Sequence, residues 1–412
     1  MKSVDYGCDL VVQCCRELVQ VPSLAGEEHE AALVAQAWMK KLGYDEVKID
    51  AFGNVIGKVK CSSGGPRLHF DGHLDTVPVT SPKSWQHSPF GAEIDDGFIF
   101  GRGVADMKGP LAAMICAVAA IDRSKLAGTI TVSASVGEEL LEGAALKAIL
   151  QDQPADMLII GEGTNLQAGI AQKGRASICL TTKGKSAHSS TPEKGINAVY
   201  LMVKAIAKLR ALPLPADELL GNALCELTEM VSGPLPGSGT IPDICTTRWD
   251  RRMVRQETLA SVLSEMRNSL QEIEGAEVGL DEASLQCYTG KTLKMKQNYH
   301  RAWETPQDSS LFRATVAALA EVCGEGRTIG IPYCSNGSVG AGELGIDTVI
   351  VGPSDPAEFH TVDEKLSIED LLKGQRVYEK IIENLLARDG APPRAEGPLS
   401  PRRAESCALS PK

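Results

Sequence analysis

Three apolar, strand-like runs in the first half of the chain each stop at a side chain able to hold a metal or move a proton. The run at about 67–74 ends in His73, Thr129–Val136 leads into Gly137-Glu138-Glu139, and Met157–Ile160 leads into Gly161-Glu162. Helix-like periodicity at 8–20, 28–42, about 106–122 and about 142–151 alternates with these runs. Parallel strands need crossover connections, so this alternation predicts an α/β fold built on a mostly parallel, helix-covered sheet. Open sheets of that kind bind ligands beyond the carboxyl ends of their strands. Side chains with independent structural jobs would not be expected to gather at one edge so regularly.

The pattern changes after about residue 170. A strand at 176–183, a helix at 195–211, strands at 224–232 and 243–252, a helix at 256–273 and a strand at 276–281 follow the order of a small ferredoxin-like α+β unit. Alternation then returns, with helices at 308–323, 337–344 and 367–387 and strands at 327–331 and 347–351. The simplest reading is a catalytic domain in two parts, 1–174 and 293–388, interrupted by an inserted domain at 175–292. Hinges are expected near 173 and 292. Residues 389–412 are rich in Pro, Arg, Ser and Ala, lack periodicity, and are expected to be a disordered tail.

A net charge of −11 argues against a nucleic-acid partner, which needs a basic surface, but leaves small anionic substrates open. The 12 cysteines include no C-x-x-C pair, which points to reduced, buried thiols in a cytoplasmic protein. Met1–Leu18 lacks the basic and apolar regions of a signal peptide, and no run approaches the roughly 18 apolar residues of a membrane span.

His73 and Asp75 stand two apart on an extended segment and so face one side, where the carboxylate can accept the second ring N–H of the imidazole. Alone, His-x-Asp is as easily a satisfied core histidine. Here it is joined by Asp106 in Gly101–Gly109, by Glu138, Glu139 and Glu162, and by His360 in Glu358-Phe359-His360-Thr361. Carboxylates can bridge two divalent cations, imidazoles fix each cation, and a spare carboxylate can serve as general base. The chain reads as a two-metal hydrolase of an amide-type bond.

These motifs resemble the metal-dependent amidohydrolase and peptidase family of acetylornithine deacetylase, succinyl-diaminopimelate desuccinylase, aminoacylase and carboxypeptidase G. The resemblance covers roughly residues 8–388 and rests on Asp71–Pro78, Gly101–Gly109, Gly137-Glu138-Glu139, Gly161-Glu162 and Phe359-His360-Thr361. It implies a zinc-exopeptidase-like catalytic domain with an inserted lid and dimerisation domain. It implies one cation on His73, Asp106 and Glu162 and another on Asp106, Glu139 and His360, with Asp106 bridging. Zinc is the expected metal, and cobalt or manganese are substitutes. It further implies Glu138 as general base, Asp75 behind the metal ligands, and a cis peptide at Asp106–Met107. The segment Gly184–Pro192 resembles the lid motif, which implies a homodimer in which His188 reaches the partner's site to stabilise the oxyanion.

Among subgroups, the closest resemblance is to hydrolases described as linked to selenium metabolism. It is carried by Ser84–Phe90, Ile241-Pro242-Asp243, Asp250-Arg251-Arg252, Cys334–Ser338 and His360–Glu364. Many relatives carry Asn where this chain has Gly239, so acetylornithine or succinyl-diaminopimelate specificity does not simply transfer. Arg175, Arg251 and Arg252 are candidates for holding a substrate carboxylate. The expected activity is deacylation or decarbamoylation of a small carboxylate-bearing N-acyl or N-carbamoyl compound. The alternatives are a dipeptidase or metallocarboxypeptidase and, from another class, a catalytically silent binding protein.

Overall fold

The computed structural model describes residues 9–388 apart from Pro236 and Ser238, so the tail expected at 389–412 lies outside the described residues. Its largest sheet has nine strands. At its centre Ala127–Ser135, Ser62–His73, Met157–Ile160 and Asp347–Ile350 run side by side, all parallel. Antiparallel strands flank them, with Val55–Lys60 and Glu46–Ile49 on one side and Ala168–Gln172 on the other. The central strands are buried on both faces, as parallel strands under crossover helices must be. Phe70, Val132, Ile159 and Val349 point into one core, with helices Leu10–Val19, Gly109–Ala120, Ser310–Cys323 and Ile368–Leu386. Leu158, Ile160 and Ile350 point to the other face, where they meet Leu146 and Ile149 of helix Ala144–Asp152.

A second, five-stranded sheet is antiparallel and comprises Leu224–Gly233, Ile244–Met253, Gly174–Lys183 and Ala276–Leu280, with Tyr299–His300 joined to Gly174–Lys183. Burial alternates along Gly174–Lys183 because only one face is covered, by helices Ala198–Arg210 and Leu259–Leu270. The chain does not leave this sheet at one point. The hairpin of Ala283–Gln286 and Thr292–Met295 packs Leu285 and Leu293 into the main core, after which Tyr299–His300 pairs with the second sheet again.

Two helices expected from the sequence are shorter or looser than their periodicity implies. Regular helix begins only at Gly109, because Asp106 and Met107 have non-helical φ/ψ within a wide turn over Val104–Lys108. Ser338–Glu343 likewise forms a single wide turn. The ten described cysteines are free and at least partly buried. No helix among the described residues is long and apolar enough to cross a membrane.

Trp249 is 1% exposed and anchors the smaller core. Trp249→Ala is expected to lower unfolding free energy by about 3–5 kcal/mol, read from urea denaturation. A loss under about 1 kcal/mol would mean that this core does not close around the indole.

Candidate dinuclear metal site

Parallel pairing assembles one end of the site. The register sets His73 opposite Ser135 and Asp71 opposite Ile160. The turn carrying Glu138 and Glu139 and the residue Glu162 therefore emerge beside His73 at one sheet edge. Asp106 arrives from the wide turn ahead of helix Gly109–Ala120, across a cis Asp106–Met107 peptide. His360 arrives from the loop after Pro356–Glu358, with φ +60°.

The two histidines converge on one carboxylate. His73 Nε2 lies 3.1 Å from Asp106 Oδ1 and 3.5 Å from Glu162 Oε1. His360 Nε2 lies 3.2 Å from Asp106 Oδ2 and 3.2 Å from Glu139 Oε1. Asp106 thus offers one oxygen to each histidine, the arrangement a bridging ligand requires. Ligand atoms of His73, Glu138 and Glu162 lie within 4.8 Å of one another, as do those of His73, Asp106 and Glu139. His73, Asp106, Glu138 and Glu162 are buried, Glu139 is half-buried and His360 is exposed, so the cluster opens to solvent on the His360 side.

The charge balance of this cluster suits cations. Burial opposes ionisation of the Glu138 carboxyl and pushes its pKa well above the carboxylate range, with Glu162, Glu142 and Glu139 adding to the effect against His73. Burial and the charge of Asp106 push Glu162 up to about 7. His360 is raised to about 10 by hydrogen bonds to Asp106 and Glu139. His73 is pulled down by burial, but Asp106 and Glu162 overcome this and hold it well above the usual imidazole range. Glu138 Oε1 is buried with no hydrogen-bond partner among the described residues. Four carboxylates around two imidazoles are a donor set that two divalent cations would neutralise, and buried charges of this density are paired or bind metal.

Asp75 does not do what its spacing from His73 implies. The Nδ1–H of His73 donates to the Asp75 backbone carbonyl at 2.8 Å, while the nearest Asp75 carboxylate oxygen stands 3.7 Å away. The strand ends at His73, so the Asp75 side chain turns toward the next strand's turn. There it accepts the backbone N–H groups of Glu138 at 3.0 Å and Glu139 at 2.9 Å. Its role in the site is to orient the Glu138–Glu139 turn.

Glu364, not singled out as a site residue in the sequence, does the same for Asp106. Fully buried, it accepts N–H bonds from Gly103, Ala105 and Asp106 at 2.8–3.1 Å and pairs with Arg102 at 2.6 Å. Its position four residues after His360 and next to the short strand Lys365–Ser367, which pairs with Phe98–Phe100, was the available signal. Asn336 is another such residue. It donates to Asp71 at 2.8 Å and accepts the Gly143 N–H at 2.7 Å, tying its loop to the segment after the glutamate turn.

The three arginines separate. Arg175 and Arg252 are direct cross-strand partners, share Asp250, and are partly exposed, and Arg175 also pairs with Glu142 at 2.6 Å. Arg251 points to the opposite face, 1% exposed, bonded to Glu257 and the Leu224 carbonyl. It is withdrawn from solvent and does not join the other two. His188 is exposed and absent from the contacts of the cluster. Its Nδ1 accepts the Ser190 N–H at 3.1 Å, so the neutral ring carries its proton on Nε2 and offers a donor outward.

The sequence profile of peptidase family M20/M25/M40 matches residues 69–384. The protein YgeY of Escherichia coli K12 is 29% identical over 94% of this chain and 97% of its own length. A succinyl-diaminopimelate desuccinylase of Rhodospirillum centenum is 27% identical over 93% of this chain and 98% of its own. In fold, the chain is similar to an M20 family metallo-carboxypeptidase, Sso-CP2 of Sulfolobus solfataricus. That similarity has a TM-score of 0.70 and 20% identity, covering 91% of this chain and 99% of that one.

Removing the Glu364 carboxylate would leave three buried N–H groups and Arg102 without their acceptor. Glu364→Ala is expected to weaken metal affinity about 10- to 100-fold, measured by cobalt titration of the metal-free protein. Unchanged affinity would show that the Asp106 turn holds itself.

Proposed function

The chain belongs to peptidase family M20/M25/M40 and is a metal-dependent hydrolase of amide-type carbon–nitrogen bonds, and from that premise we propose that it removes an acyl or carbamoyl group from a small, carboxylate-bearing N-substituted compound. The observation that carries the reading is the Asp106 carboxylate, shared oxygen by oxygen between His73 and His360. In this reading His73, Asp106 and Glu162 hold one divalent cation and Asp106, Glu139 and His360 the other. Zinc is the proposed metal, with cobalt or manganese able to substitute. When bound, the cations supply Lewis-acid activation of the attacking water and of the scissile carbonyl.

The protein's own groups do the rest. Glu138, buried with an unpartnered oxygen, takes a proton from the attacking water as its oxygen bonds to the carbonyl carbon. Glu138 then returns that proton to the nitrogen as the carbon–nitrogen bond breaks, leaving a carboxylic or carbamic acid and an amine. Asp75 keeps Glu138 in place by gripping its backbone N–H. Arg175 and Arg252 are proposed to attract the substrate carboxylate, and Arg251 has no part in it. A relative named for removing a succinyl group supports deacylation.

We also propose that two copies associate through the second sheet, with the Nε2–H of His188 donated to the oxyanion of the partner's site. Helix Ala198–Arg210 leaves Tyr200 69% and Val203 56% exposed. Strand Leu224–Gly233 is an edge of the second sheet, with one side unpaired among the described residues and with Met230 and Val231 exposed. Apolar side chains beside a free edge suit a symmetric partner.

Glu138→Ala is expected to lower kcat about 10²- to 10⁴-fold, with metal content unchanged. The assay panel is N-acyl amino acids, N-carbamoyl amino acids and dipeptides. Near wild-type turnover with metals bound would remove Glu138 as base, and selective cleavage of dipeptides would favour the dipeptidase alternative. Tyr200→Asp combined with Val203→Asp is expected to convert a dimer into monomers by sedimentation velocity and to lower activity. A monomeric, fully active wild type would remove His188 from the reaction.

A further inference from the structure

The loop Val21–Glu28 touches three of the segments that carry the ligands and base, namely the Asp106 turn, the segment that follows His73 and the Glu138–Glu139 turn. Lys108, in the Asp106 turn, donates to the Val21 carbonyl at 2.7 Å. The buried Ser23 hydroxyl donates to the Leu74 carbonyl at 2.7 Å and the Ser23 backbone carbonyl accepts the Thr76 N–H at 2.8 Å, on either side of Asp75. Glu28 Oε1 accepts the Gly26 N–H at 2.9 Å and, across the molecule, the Gly137 N–H at 3.0 Å.

Glu28 is fully buried and stands at the head of helix His29–Lys41, yet makes no capping bond to that helix. Its carboxylate is directed instead at the turn that bears the base. With Asp75, it leaves three successive amides, Gly137, Glu138 and Glu139, each held by a carboxylate oxygen. The hairpin of Ala283–Gln286 and Thr292–Met295 packs closely against a glycine in the loop and a glycine in the turn. Gly26 and Gly137 have φ of +88° and +68°. A Cβ at Gly26 would meet the Gln286 carbonyl oxygen at 2.8 Å, and one at Gly137 would meet a Leu285 methyl at 2.1 Å. Both obstacles belong to the one hairpin, which lies across loop and turn together.

We propose that Val21–Glu28 is a brace holding the His73, Asp106 and Glu138–Glu139 segments in register, and that Glu28 is its positioning residue, acting as a hydrogen-bond acceptor for the Gly137 amide. The proposal rests on the dinuclear reading above. A single oxygen of Glu28, Oε1, accepts both amides, so an uncharged carbonyl oxygen in the same place should serve.

The test compares full-length wild type, Glu28→Ala and Glu28→Gln by two readouts. One is amide exchange in metal-free protein, read in peptides covering 73–76 and 137–139. The other is cobalt titration followed by the visible absorption of the bound ion. Glu28→Ala should speed exchange at 137–139 and weaken cobalt binding about tenfold or more, the size expected when support behind a ligand is lost. Glu28→Gln should stay close to wild type in both, because one carbonyl oxygen can accept both amides.

Wild-type exchange and cobalt affinity in Glu28→Ala would overturn the brace. Glu28→Gln as impaired as Glu28→Ala would overturn the acceptor role in favour of charge. Should Glu28→Ala not fold, Ser23→Ala takes its place, with faster exchange at 73–76 expected and unchanged exchange counting against the brace. A wild type that takes up no cobalt would end the dinuclear reading, while the exchange arm still judges the brace.

Discussion

Parallel pairing of Ser62–His73 with Ala127–Ser135 on one side and Met157–Ile160 on the other brings the site into being. Strands pointing the same way must deliver their carboxyl ends to the same edge. Residues separated by tens of positions in sequence, His73, Glu138 and Glu162, become neighbours as a result of that one pairing. Asp106 and His360 then need only be brought over the edge by loops. The cost is that four carboxylates are packed where water is scarce, and the rest of the local structure answers that crowding.

The answer takes two forms. The side chains face one another around a space suited to cations, with both histidines directed at Asp106. Behind them, a second set of carboxylates grips backbone rather than side chains. Glu364 holds the amides around Asp106, Asp75 those of Glu138 and Glu139, and Glu28 that of Gly137. A backbone amide is a fixed donor, so gripping it orients the side chain that follows without competing for the metal. Acidic residues in this region therefore have two distinct uses that composition cannot tell apart.

Much of the fold was legible because its central strands are apolar runs with polar ends, and its helices carry regular apolar stripes. Of the candidate site residues, His73, Glu138 and Glu162 were legible for the same reason, as chemistry-bearing residues placed just beyond such runs, whereas Asp106 and His360 follow no such run and were legible only through the motifs around them. What escaped the sequence was short or turned. The strands Glu93–Asp95, Phe98–Phe100 and Lys365–Ser367 are three residues each, too few for alternation to register, and they are what carries Glu364 to the Asp106 turn. An extended chain would set the Asp75 carboxylate beside the His73 ring, but extension stops at His73. By adjacency in sequence Arg251 groups with Arg252. Its two-residue spacing from Trp249 and Met253, both buried, puts it on the covered face instead.

The most direct test of a dinuclear centre organised by Asp106 is anomalous diffraction at the zinc edge from crystals grown with the metal. Two peaks about 3.5–4 Å apart, with one Asp106 oxygen toward each, are the predicted result. A single peak, or two peaks that leave Asp106 bound to neither or to only one, would contradict it.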